Sequence, residues 1–188
     1  MKHIVILFFS ILTISAYGQD NTYYYIHPDR LVELKGTDYV LSKVETWAKM
    51  ITVKSQYLLF INTRNGQSKR IDFPRDASVQ MTEQIKIDSL QINKVLVVAK
   101  MVNLDNGKRI DAGDPTQIIL FSTDGREKVQ LTEDKFFVRD WVIHSKTGNM
   151  VVRGYYDTNN SGKFDKEDDY QILLYDLKTA KLISTVQE

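Results

Sequence analysis

Residues Gln117–Leu131 read QIILFSTDGREKVQL. An apolar run ends in an aromatic, Phe121. A polar turn carrying Asp124-Gly125 follows, and then a second β-prone run. Isoleucine, valine and phenylalanine suit a pleated surface, and Asp-Gly suits the left-handed backbone of a tight turn, so the stretch reads as a β-hairpin. The pattern is written twice more, in YLLFINTRNGQSKRI (Tyr57–Ile71) and QILLYDLKTAKLIST (Gln171–Thr185). The first of these turns on Asn65-Gly66 and the other on Thr179-Ala180.

The second and third copies align beyond the hairpin. Asp111 and Asp165 lie 54 residues apart. The same spacing, without a gap, pairs Val97 with Val151, Val98 with Val152, Asp114 with Asp168, Ile118 with Ile172 and Phe121 with Tyr175. A unit of several strands recurring at about this length implies a stacked or radial β architecture. The expected repeats span about 39–73, 84–132 and 138–186. Strand propensity runs almost throughout, and helical periodicity is confined to the N-terminus. The stretch Asp76–Gln84 has the weakest signal and reads as loop or a short turn of helix. The expected class is therefore all-β, with about three four-stranded blade-like repeats in a partial or open propeller-like arrangement.

IILFSTDGRE (Ile118–Glu127) and ILLYDLKTAK (Ile172–Lys181), with the tail KVQLT (Lys128–Thr132), resemble the outer strand pair of TolB-like, WD-repeat-like β-propeller blades. The resemblance covers Gln84 to the C-terminus well and Tyr39–Phe73 loosely. It implies blades built from an inner strand, a second strand, often a long Asp/Asn/Gly loop, and an outer pair. Closed propellers have at least about four blades. Three repeats leave three options: Asn21–Val44 forms a partial fourth blade, two chains share a ring, or the stack stays open.

Between the strands of the third repeat lies DTNNSGKFDKED, Asp157–Asp168. Calcium takes six to eight oxygen ligands, and a twelve-residue loop supplies them from positions 1, 3, 5, 7, 9 and 12 around a glycine at 6. Asp157, Asn159, Ser161, the carbonyl of Lys163, Asp165 and Asp168 occupy those positions, with Gly162 at 6. Phe164, at position 8, is placed to pin the loop to the core. Aspartate at position 12 resembles the dockerin-type loop, whereas the EF-hand places its loop between helices. The flanks VVRGYY and YQILLY are strands, so the expected site is a structural calcium loop inside a blade. An Asx-rich turn without metal is the other reading of the same residues. The equivalent loop NLDNGKRIDAGD (Asn103–Asp114) has its glycine one place early and no side chain at position 5, and it reads as degenerate.

The chain has 188 residues, 43% of them hydrophobic and 26% charged, which is globular composition. It opens MKHIVILFFSILTISAYGQ: one lysine, an apolar run too short to span a bilayer, and a small-x-small site at Ala16-Tyr17-Gly18. That is the pattern of a signal peptide over residues 1–18. The expectation is an exported, soluble protein, periplasmic or extracellular, that does not span the membrane after cleavage. Removing residues 1–18 leaves 24 basic and 24 acidic residues, so no net field favours nucleic acid. There is no cysteine, so neither a disulfide nor cysteine catalysis is available.

No nucleophile-elbow, dinucleotide or Walker pattern occurs. His144 reads as a rim residue, and no catalytic residue is assigned. Trp47 and Trp141 are expected in the core or at blade junctions. Tyr23-Tyr24-Tyr25 reads as an edge strand, with a glycan or protein surface as its other use. The sequence points to a calcium-binding, non-enzymatic module for binding or scaffolding at the cell envelope, with an unnamed protein or glycan partner. A hydrolase-type accessory propeller and a homo-oligomer built from a larger propeller's remnant are the rivals.

Overall fold

The computed structural model describes residues 24–48 and 54–186. The expected signal segment, residues 1–18, lies outside them, as do Tyr23 and the 49–53 part of an expected strand. The side chains of Tyr24, Tyr25 and Trp47 lie outside the described set as well.

Twelve strands and a single 3-10 turn (Asp88–Leu90) make up the regular structure among the described residues. The strands are β1 (Tyr24–Glu33), β2 (Tyr39–Ala48), β3 (Lys54–Asn62), β4 (Ser68–Asp72), β5 (Ser78–Ile87), β6 (Ile92–Lys100), β7 (Gln117–Ser122), β8 (Lys128–Gln130), β9 (Phe136–His144), β10 (Asn149–Tyr156), β11 (Asp169–Asp176) and β12 (Lys181–Val186). They form three four-stranded antiparallel meanders, β1–β4, β5–β8 and β9–β12, each in chain order. This is the expected all-β, blade-like architecture. Asn21–Val44 makes no fourth blade: from Tyr24 onward it supplies β1 and much of β2 of the first sheet. Asp76–Gln84 is neither loop nor helix for most of its length, because β5 begins at Ser78. A bulge between Val79 and Met81 breaks its alternation, and that hid the strand in the sequence.

The three sheets stack face to face with the β5–β8 sheet in the middle. Successive side chains of a strand point to opposite faces. On one face of the middle sheet Val95, Val97, Ala99, Ile119 and Phe121 pack with Leu34, Leu41, Leu58 and Phe60 of the first sheet. On the other face Leu96, Val98, Ile118 and Leu120 pack with Phe136, Met150, Val152, Leu173 and Tyr175 of the last sheet. This accounts for the unbroken apolar runs of β6 and β7, since a strand buried on both faces has no polar side to show. Trp141 is half-buried against the second of these clusters. Full burial of a leucine or phenylalanine side chain contributes about 1.5–3 kcal/mol, so the two interfaces carry most of the cohesion of a chain without disulfides.

Pairing shows that the repeat has a one-residue step. Ile119 lies opposite Val97, and its counterpart Leu173 lies opposite Val152. Val97 therefore corresponds to Val152, not to Val151 as the ungapped spacing has it. The bulges agree: the step falls between Ala99 and Val98 in the middle sheet and between Gly154 and Arg153 in the last. Beyond these strands the third repeat is one residue shorter, and the spacing of 54 holds from the loop onward.

Candidate metal centre

Asp157–Asp168 joins β10 to β11, and Asn103–Asp114 lies between β6 and β7. The two loops share a hydrogen-bond framework. Asn159 Oδ1 accepts the Ser161 N–H, and Asp105 Oδ1 accepts the Gly107 N–H. Asp157 Oδ1 also accepts the Ser161 N–H, as Asn103 Oδ1 does that of Gly107. Asp168 Oδ2 accepts the Asp165 N–H, as Asp114 Oδ2 does that of Asp111. Asp165 Oδ1 accepts from Glu167 N–H, as Asp111 Oδ1 does from Gly113 N–H. Asn160 and Asn106 both take a left-handed backbone, φ 58° and 56°. The repeat thus extends to individual bonds, each at the spacing of 54.

Local chemistry explains the shape. Asx side chains fold back on the backbone N–H groups two residues on and so hold a turn that has no ladder partner. In the third repeat they also bring the candidate ligands together pairwise. Ser161 Oγ donates to the Lys163 carbonyl at 2.8 Å, and Asn159 Nδ2 donates to Asp165 Oδ2 at 3.1 Å. Asp157 is 2% exposed, and its other oxygen accepts the Gly162 N–H at 3.0 Å. The Asp165 carboxyl is held below the usual aspartate range by the Asn159 amide and then by the Glu167 N–H. Among the described residues, no three acidic or histidine side chains stand together as a metal cluster, so Asp157, Asp165 and Asp168 do not form one by themselves.

The loops differ at the last aspartate. Asp114, 2% exposed, has both oxygens occupied, Oδ1 by the Leu104 N–H at 2.8 Å. Asp168, 8% exposed, has Oδ2 occupied and Oδ1 without a hydrogen-bond partner. A buried polar atom left unpaired costs about 1–3 kcal/mol, more when it is charged. The second loop also has a cation of its own. Lys100 Nζ donates to the carbonyls of Ala112 (3.1 Å) and Asp114 and faces the charges of Asp114 and Asp111. Burial first of all lowers the pKa of this lysine. In the last sheet the position after Gly154 is Tyr155, which brings no charge.

The sequence missed two features of this region. Gly162 sits against the other loop, where a Cβ would stand 2.6 Å from the Leu104 carbonyl oxygen. Lys163 Nζ lies 3.7 Å from Asp105 Oδ2. The two loops are therefore packed together at one end of the stack. Phe164 does not pin its loop to the core. It is 44% exposed, with its ring 4.8 Å from Tyr155 and 6.3 Å from Phe137, and the Arg139 guanidinium lies 3.8 Å above it. Phe164, Tyr155 and Arg139, with Arg153 and Tyr170, line an open cavity of about 430 Å³. The periodic signal of the sequence could not say on which side of the sheet position 8 falls. His144 is exposed, and its Nδ1 lies 3.0 Å from the Thr147 hydroxyl.

The sequence matches no family model and no curated protein. Among solved structures the chain is similar to Pyrococcus horikoshii acylaminoacyl peptidase, with 11% identity over 86% of this chain and 25% of that one and a TM-score of 0.46. It is also similar to Synechocystis apocarotenoid oxygenase. A mutant form gives 17% identity over 85% of this chain and 38% of that one, TM-score 0.37. The cobalt-substituted form gives 15% identity, 86% and 38%, TM-score 0.38. The chain spans between a quarter and two fifths of the length of these proteins.

Proposed function

We propose that this chain is an exported, non-enzymatic calcium-binding module of blade-like sheets that serves in binding or scaffolding at the cell envelope. Its partner is a protein or a glycan. One observation carries the calcium reading: the buried Asp168 Oδ1 without a partner, in a loop whose sister copy satisfies the same carboxylate oxygen, Asp114 Oδ1, with the Leu104 N–H. A calcium ion would be held by Asp157, Asn159, Ser161, the Lys163 carbonyl, Asp165 and Asp168, all oxygen donors of the kind that ion takes. The ion would supply positive charge to an acidic loop with few apolar contacts.

The rest of the loop supports a structural role. Its bonds are made within the loop and to its neighbours: the Asp157 N–H donates to the Lys135 carbonyl at 3.0 Å, and Lys135 Nζ to Asn160 Oδ1. Two polar groups elsewhere that suit acid–base chemistry, Asp124 and His144, are engaged in turns. Asp124 accepts from the Ser122 hydroxyl and the Arg126 N–H, and His144 is joined to Thr147. No helix among the described residues is long and apolar enough to cross a membrane.

Thermal unfolding with calcium and with chelator tests the reading. A ligand bound only by the folded state adds about 2.7 kcal/mol at a hundredfold excess over Kd. Calcium should raise the melting temperature of the mature chain, and Asp168→Asn should lose most of that rise. A melting curve that millimolar calcium leaves unmoved would reject the metal.

A further inference from the structure

The middle sheet is covered on both sides, whereas the first and last sheets are covered on one side each by described residues. The uncovered faces have a specific composition. Allowing for the one-residue step, Val151, Arg153, Ile172 and Leu174 of the last sheet correspond to Leu96, Val98, Ile118 and Leu120 of the middle sheet. Those four middle-sheet residues are the ones buried against the last sheet. In the last sheet Val151, Ile172 and Leu174 are half-buried, and Val142, opposite Val151, is 61% exposed. Arg153, the one charged member, is paired with Asp140 at 3.3 Å.

The first sheet has the opposite half of the same contact. Ser122 and Glu127 close the β7–β8 turn as Asn62 and Gln67 close the β3–β4 turn. Ile61 therefore corresponds to Phe121 and Leu59 to Ile119. Val40, opposite Ile61, corresponds to Val95, opposite Phe121. Val95, Ile119 and Phe121 are the residues by which the middle sheet packs on the first. On the face of the first sheet turned away from the middle sheet, Leu31 is 64% exposed, Val40, Leu59 and Ile61 are half-buried, and Ser42 and Val44 are shielded between their neighbours.

We propose that a second copy of this chain covers both faces, with the last sheet of each copy packed on the first sheet of the other to close a six-bladed ring. These two faces, which no other sheet among the described residues covers, continue the interfaces already present in the chain, since each is the counterpart of a face that the middle sheet buries. One chain that carries both halves of a head-to-tail contact closes with its copies or polymerises. Three blades are too few to close alone, and two copies fall inside the range of about four to eight blades that rings use.

The test uses the mature full chain and sedimentation velocity from micromolar to sub-millimolar concentration. Leu174→Arg disables the last-sheet face and Ile61→Arg the first-sheet face, and far-UV circular dichroism checks that each variant keeps its strands. The wild type should run at twice the chain mass and each variant alone at the single mass. An equimolar mixture of the two variants should return to the double mass, because one of its two seams is intact; misfolded chains could not do this. The proposal is overturned if the wild type stays single throughout or grows open-ended polymers. It is also overturned if the mixture stays single, or if only Leu174→Arg breaks the pair, which would place last sheet against last sheet. None of these outcomes depends on calcium, so a failure here leaves the metal reading standing and the reverse.

Discussion

Gly162 lies against the backbone of Leu104, with φ +73° and no room for a Cβ, which would stand 2.6 Å from the Leu104 carbonyl oxygen. Two long polar loops from adjacent sheets are thereby held in contact by a residue without a side chain. Gly162→Ala should lower stability by at least about 1–2 kcal/mol from left-handed strain alone. Displacement of the Leu104–Asp105 backbone should add to this. Urea unfolding measures the loss, and an unchanged midpoint would mean that the loops do not pack as described.

A second contact binds the first and middle sheets. Gln56 is 1% exposed; its Oε1 accepts the Val79 N–H and its Nε2 donates to Glu45. Gln56→Ala leaves the Val79 N–H without its partner, and an unpaired buried group costs about 1–3 kcal/mol. Gln56→Glu keeps the acceptor but sets a second carboxylate beside Glu45, and it should also destabilise. Denaturant unfolding of both variants checks the expectation.

The hairpins were legible because their signals are local: a β-prone run, a turn residue, another run. What lay outside local chemistry was not. Phe60 and Phe121 occupy the same place in the sequence pattern, yet their strands are out of step by one, and the rings face each other across the first interface at 6.1 Å. An apolar run tolerates such a slip without a visible break. The twelve-residue loop was readable position by position. The early glycine of the sister loop was readable too, but the difference at the last aspartate was not, because Lys100 reaches the second loop from β6, and the missing partner of Asp168 is a fact of three-dimensional placement. Gln56 offered only a weak sign, a polar residue at the start of YLLF.

Lys100 supplies the second loop with a cation of its own. Lys100→Met removes the donor to the Ala112 and Asp114 carbonyls and the charge that faces Asp111 and Asp114. A loss of about 1–3 kcal/mol is expected from the unpaired groups. The same change should leave calcium binding by the third loop intact, which a titration of the variant reads directly.

Burial, and then the charge of Glu133, pushes the Tyr175 hydroxyl up to about 12. A raised folded-state value means that the folded chain holds this proton more tightly than the unfolded one, whose tyrosine titrates near 10. The contribution is therefore fully present below about pH 10 and is lost as pH rises toward 12. Tyr175→Phe should flatten that part of the alkaline stability profile, measured by denaturant midpoints.

Isothermal titration of calcium into the mature chain tests the central claim most directly. One site per chain is expected. Asp157→Ala and Asp168→Asn should abolish the heat, Asp105→Ala should leave it, and magnesium should compete poorly because it demands tighter octahedral geometry. Absence of heat with the wild-type chain at millimolar calcium, or a signal that survives Asp168→Asn and disappears in Asp105→Ala, would contradict the assignment of the ion to Asp157–Asp168.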